Sequence, residues 1–189
     1  DVLDRKQASF LDDLERRCFR YFVEQSDPKT GLVLDRARVD GGAVERSRSV
    51  ASIAATGFGL TALCIGAEHR WIPRGEAAAR ATAALHFIAG RLPNIHGWFF
   101  HFVHVETGQR MWNCELSSID TALLLAGVLT AGVYFRGDAQ KLASNIYDLV
   151  DFRWMQNGEV TLSHGFRPET GFLRSRWDKF SECMLLYAL

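Results

Sequence analysis

The spacing of apolar residues divides the chain into helical runs separated by polar or aromatic stretches. Across residues 6–25, Phe10, Leu14, Cys18, Tyr21 and Phe22 recur at intervals of three and four, which places them on one face of a helix. Ser26-Asp27-Pro28 ends that run, because proline disfavours helical backbone at the residue before it. The polar stretch over 29–49 is longer than an ordinary connection and predicts a functional or mobile loop. Residues 50–69 read as a second helix. Its small residues, among them Ala51, Ala54, Ala55, Gly57, Gly59 and Ala62, confer no strong helix preference, so it must be buried closely among neighbours. Pro73 stands at the first turn of a third helix that runs to about Gly90. Residues 117–134 form a fourth, nearly all apolar, and are therefore a central core helix. A fifth runs from Asp138, a good N-cap, to about Trp154, and a sixth starts near Lys179.

Two stretches break the helical period. Residues 97–112 hold Trp98-Phe99-Phe100-His101-Phe102-Val103 and then the turn signal Glu106-Thr107-Gly108, which predicts a hairpin-like excursion. A second excursion opens at Asn157-Gly158 and passes Gly165, Pro168 and Gly171. Connections after even-numbered helices are short and some others are long. A ring of helical hairpins with one functional rim has that alternation. The run Met184 to Leu189 is apolar and uncapped, which leads to the expectation that further chain completes the fold.

Charge adds an exclusion. Lys plus Arg and Asp plus Glu each total 22, so no long-range field favours phosphate polymers or anionic lipid, and no nucleic-acid partner is expected. The Arg-rich piece Arg36, Arg38, Arg46, Arg48 is interleaved with Asp35, Asp40 and Glu45 and reads as a solvated loop. No segment has about 18 uninterrupted apolar residues, so no membrane span is expected; the best candidate contains Asp120. No signal peptide is visible at Asp1. Cys18, Cys64, Cys114 and Cys183 are far apart and read as small buried hydrophobes, not as a disulfide framework or zinc site.

Candidate chemistry centres on Trp112-Asn113-Cys114-Glu115-Leu116-Ser117-Ser118-Ile119-Asp120, which puts two carboxylates before and within the first turn of the apolar fourth helix. Anions are favoured at that end by the free N–H groups and the helix dipole, so capping alone would also account for them. Glu182 stands in a similar place, after Trp177 and within the first turn expected of the sixth helix. Jointly, Glu115 and Glu182 suggest two carboxyl groups sharing a sugar-sized cleft, as glycoside hydrolysis requires. His96, His101 and His104 have spacings that support a metal site poorly, and no metal or cofactor is expected. Nucleotide-binding glycine loops and the Gly-x-Ser-x-Gly elbow are absent.

A family resemblance sharpens this reading. Ser52 to Leu60, His96-Gly97-Trp98-Phe99-Phe100-His101-Phe102, Glu106-Thr107-Gly108, Asn113 to Gly127, Gly165-Phe166-Arg167-Pro168-Glu169-Thr170-Gly171-Phe172-Leu173 and Trp177 to Leu186 carry it in order along most of the chain. In these the sequence resembles the bacterial glucoamylase-like family, which includes β-1,2-glucanases and the central domain of cyclic β-1,2-glucan synthases. The resemblance implies an all-α (α/α)6 barrel, of which residues 1–189 would be one partial domain, about the N-terminal half. It implies an inverting hydrolase of a β-linked glucan, acting in the periplasm or secreted, with Glu115, Asp120 and Glu182 as pocket acids. Trp98, His101, His104, Trp112, Arg167 and Trp177 are the expected contacts to an oligo- or polysaccharide. Where the family pattern carries an acid after His-Phe-x, this chain carries His104. A non-catalytic carbohydrate-binding or scaffold module, or the transglycosylating domain of a glucan synthase, are the alternatives.

Overall fold

Residues 3–38, 40 and 49–189 are described by a computed structural model. Helix α1 (Arg5–Glu24) opens with a reciprocal cap: Asp4 accepts from the Gln7 N–H at 2.8 Å, and Gln7 accepts from the Asp4 N–H at 3.0 Å. The expected apolar face is only half used. Phe19 is the one buried residue of the helix, whereas Phe10 is 65% exposed and Leu14 and Cys18 are exposed too. Contact with α2 (Ile53–Glu68) is made by the later turns, where the Phe19 ring fills the space that Gly66 leaves without a side chain. Cys64, Cys114 and Cys183 are buried as expected; Cys18 is the exception.

The polar stretch after α1 is tied to the core over its first part. Asp27 accepts from the N–H groups of Lys29 and Thr30, Gly31 turns at φ +69°, and Leu32 and Val33 are buried. Gly31 is required there, because a Cβ would lie 2.3 Å from that of Ala84. The Thr30 hydroxyl donates to the Val105 carbonyl at 2.7 Å, so this part is anchored to the first aromatic excursion. Residues 39 and 41–48 of the expected loop, including Glu45, Arg46 and Arg48, lie outside the described residues.

Residues 50–52 are not helical. They form β1 (Val50–Ser52), which ends at Ser52, the N-cap of α2. Helix α3 (Arg74–Arg91) follows Pro73 as expected. The first excursion supplies β2 (Asn94–Ile95), β3 (Trp98–Phe99) and β4 (Phe102–His104); β2 and β3 form a hairpin, and β4 pairs antiparallel with β1. Then β5 (Leu116–Ser117) leads into α4 (Ser118–Phe135), capped by Ser117.

The expected fifth helix is two. Helix α5 (Gly137–Asp148) is separated from α6 (Phe152–Gln156), which Asp151 caps by accepting the Trp154 N–H at 2.9 Å. The break has tertiary causes. Gly97 packs against the Leu149 carbonyl, and the Asp151 carbonyl accepts from the Trp98 indole N–H at 2.9 Å. Past the turn at Asn157, β6 (Gly165–Arg167) and β7 (Gly171–Phe172) join β5 in a three-stranded antiparallel sheet of order β5-β6-β7. The expected sixth helix is the short α7 (Met184–Ala188), with residues 182–183 in a turn before it.

Helices α2 and α4 form the centre, with α1 and α3 against α2 and α5 against α4 and α3. The small residues of α2 serve close approach: a Cβ on Gly57 would fall 2.3 Å from the Leu123 carbonyl oxygen, and one on Gly127 only 2.0 Å from that of Gly57. The two helices thus meet backbone to backbone. Helix α4 is long and apolar enough to cross a membrane by length and composition, but half of it is buried inside the protein, between α2 and α5. Because β1 runs into α2 and β5 into α4, the paired strands gather at the N-terminal ends of the two core helices.

Candidate active site

His101 lies where those strands meet. Its carbonyl accepts from the Ile53 N–H at the start of α2 (3.3 Å), and its N–H donates to the Glu115 carbonyl (3.0 Å). Its ring is stacked on Phe102, with centroids 3.8 Å apart. Both ring nitrogens face carboxylates: Nδ1 lies 3.1 Å from Glu115 Oε1 and Nε2 lies 3.5 Å from Asp120 Oδ2. The second Glu115 oxygen, Oε2, lies 3.5 Å from an Arg167 guanidinium nitrogen. Asp120 is in the first turn of α4, where the Ser117 hydroxyl accepts its N–H and donates to Oδ2 at 2.5 Å. Gly165 makes room for this arrangement, since a Cβ there would meet the Leu116 carbonyl at 2.3 Å and Glu115 Cγ at 3.0 Å.

These contacts set the charges. The His101 hydrogen bond, against the opposing effect of burial, holds the Glu115 carboxyl down to about 2; the His101 and Arg167 charges add to this. For His101 burial alone would favour the neutral ring. The Glu115 hydrogen bond and the charges of Asp120, Glu115 and Asp35 outweigh it and raise the imidazole above its ordinary value. Asp35, read from the sequence as part of a solvated loop, therefore contributes to the field at the site.

Arg110 ties the two excursions together. Its guanidinium holds Glu169 through two hydrogen bonds of 2.5 and 3.0 Å and donates to the Cys114 and Asn113 carbonyls at 2.6 and 2.8 Å, directly before Glu115. It also lies over the Phe100 ring at 4.8 Å. Nothing local in the sequence singles out Arg110, because Glu169 is 59 residues away. Ser118 joins a second set of distant contacts. Its hydroxyl accepts from the Trp177 indole N–H at 2.8 Å and donates to the Ser163 carbonyl at 2.7 Å, fixing Trp177 and Ser163 to the start of α4.

The structure thus brings together Glu115, Asp120, His101 and Arg167. Trp98 is corrected: it is fully buried, packed edge-on against Phe152, and belongs to the core instead of a sugar-binding surface. Trp112 is 61% exposed and meets the edge of Phe102 at 5.3 Å, on the rim beside the acids. Trp177 is half-buried and stacked on His164 at 3.9 Å. His104 is half-buried on β4, its Nδ1 accepting from the Glu106 N–H. Glu182 is exposed in the turn before α7, and among the described residues its side chain makes no hydrogen bond or ion pair. No group of three His, Cys, Asp or Glu side chains among the described residues is arranged to hold a metal ion.

No family model matches the sequence. The chain is 28% identical over 193 aligned positions to an exo β-1,2-glucooligosaccharide sophorohydrolase of Parabacteroides distasonis, covering 95% of this chain and 26% of that protein. Among solved structures, an endo-β-1,2-glucanase from Chitinophaga pinensis in complex with sophorotriose and glucose superposes with a TM-score of 0.85 at 25% identity, over 98% of this chain and 46% of that one. A glucoamylase-like protein of Bacteroides caccae gives 0.80 at 26% identity, over 95% and 46%. The chain therefore spans about a quarter of the curated relative and just under half of these structures.

Proposed function

We propose that this chain, which resembles the glucoamylase-like family, supplies the acidic wall of the active site in a glycoside hydrolase that cleaves a β-linked glucan of the β-1,2 type. The observation that carries the reading is the Glu115–His101–Asp120 cluster at the starts of the two core helices, beside the exposed Trp112. Acids held there face the end of the fold where the loops and short strands collect. Flat aromatic rings such as Trp112 offer a sugar an apolar face with a polar edge. The β-1,2-glucan named for the two relatives supports the substrate class.

In this reading the chain forms part of an (α/α)6 barrel, and the reaction inverts. Glu115 and Asp120 stand on one side of the scissile bond and Glu182 on the other, with a water between. The hydrogen bond from the Trp177 indole to Ser118, at the start of α4, supports placing the nearby Glu182 segment in the same site. Replacement of Glu115 or Glu182 by Gln in the full-length protein is expected to lower release of reducing sugar from β-1,2-glucan by roughly a hundredfold or more. Wild-type rates in both variants would remove the catalytic assignment.

One observation favours a binding module instead: His104 occupies the place of an expected acid and is turned onto its own loop by the Glu106 N–H. Calorimetry separates the two readings, since oligosaccharide binding with no turnover supports the module.

A further inference from the structure

We propose that His101 is a positioning residue that clamps Glu115 and Asp120 together as a pair of anions, so that Glu115 accepts a proton in the reaction and a carboxyl outside the clamp donates one. The inference rests on the glycosidase reading above.

The geometry leaves His101 little freedom. Its N–H and carbonyl are both bonded, to Glu115 and Ile53, and Phe102 covers one face of the ring. A neutral imidazole has one N–H and can serve one carboxylate; a protonated ring has two and can serve both. The remaining contacts of the pair are also donors. Arg167 reaches Glu115 from β6, and Ser117 directs its hydroxyl hydrogen to Asp120. The charged groups acting on His101 are Glu115 and Asp120 at the start of α4 and Asp35 from the segment before β1. All are acids, and all favour the protonated ring.

A carboxyl that gives a proton to the leaving oxygen must hold that proton at working pH. Glu115, between an imidazolium and a guanidinium, does not. The step then balances as follows. A water oxygen bonds to the anomeric carbon as the glycosidic C–O bond breaks. The water's proton passes to Glu115, and the leaving oxygen takes the proton of the other carboxyl, for which Glu182 is this chain's candidate.

The test has two arms, both on the full-length protein. In the first, ¹⁵N-histidine NMR follows His101 through a pH titration. Its midpoint is expected above the ordinary value of about 6.5 and should fall in Glu115→Gln, with a smaller fall in Asp120→Asn. In the second, His101→Gln, which keeps a donor but not the charge, is expected to lower kcat by roughly tenfold to a hundredfold with KM within about twofold. The alkaline limb of the wild-type kcat profile at the His101 midpoint should vanish with it. A midpoint unmoved by both carboxylate substitutions overturns the clamp, whatever the activity. Because the first arm needs no substrate, a normal titration response with no glucan cleaved by the wild-type protein overturns the glycosidase reading instead.

Discussion

Glu115 and Glu182 look alike in the sequence, each following a tryptophan and each opening an apolar helix, yet their surroundings are opposite. Glu115 is half-buried and met by His101 and Arg167, and the preceding carbonyls are held by Arg110. Glu182 is exposed in a turn before a helix of five residues. The difference teaches how two identical side chains come to separate roles. A carboxylate enclosed by donors is kept as an acceptor, whereas one left open can be tuned by whatever sugar or protein surface closes over it.

The largest test of this contrast uses the leaving group. Glu182→Gln should cost roughly a thousandfold on a natural glucan but far less on an aryl glycoside whose phenol leaves without a proton, while Glu115→Gln should impair both substrates alike. Equal losses for Glu182→Gln on both substrates would erase the contrast.

The next test reads stability against pH. Glu115 is lowered in the folded protein, so the stability it contributes is present above the ordinary carboxylate value, about 4.3, and is lost as pH falls toward 2. His101 has the opposite sign: its contribution is present below about 6.5 and is lost as pH rises through its higher folded value. Thermal denaturation of Glu115→Gln should therefore show a flatter acid limb than the wild type.

The smallest effect compares two serines. Ser117 caps α4 and binds Asp120, so Ser117→Ala should cost about 1 kcal/mol in a denaturant titration. The Ser181 hydroxyl, beside Glu182, accepts a 3.4 Å contact from the Cys183 N–H, and the alanine variant should change stability by less than about 0.5 kcal/mol. Equal costs would mean that the two regions are equally ordered.

What was legible in the sequence follows from the range of each interaction. The placing of Asp120 in the first turn of α4, three residues after Ser117, was legible from local pattern and was read correctly. The close burial of α2 was legible as well, from its glycines and alanines. Strand β1 was not, because its partner β4 is some fifty residues away and Val50-Ala51-Ser52 looks like the start of a helix. The break between α5 and α6 depends on Gly97 and Trp98, again far along the chain. Periodicity found the apolar face of α1, but a period cannot say how much of a face is covered, and Phe10 is open. At the site, Glu115 and Asp120 could be picked out from local pattern. Their joint partner His101 could not, because the ring reaches them across the loop that joins β4 to β5.

The contact of Gly57 with Gly127 has a consequence for how this protein can vary. No side chain lies between the two central helices at that point, so their separation is set by peptide planes touching. Substitutions elsewhere in the interior can alter how well the rest is filled, but they cannot spread the pair apart or slide in a spacer. The start of α4, which carries the acids, and the start of α2, which holds His101, are in effect fastened at a common pivot. Divergence in substrate preference among chains built this way should accordingly fall on the rim segments, with the gap between the helices left as an invariant gauge.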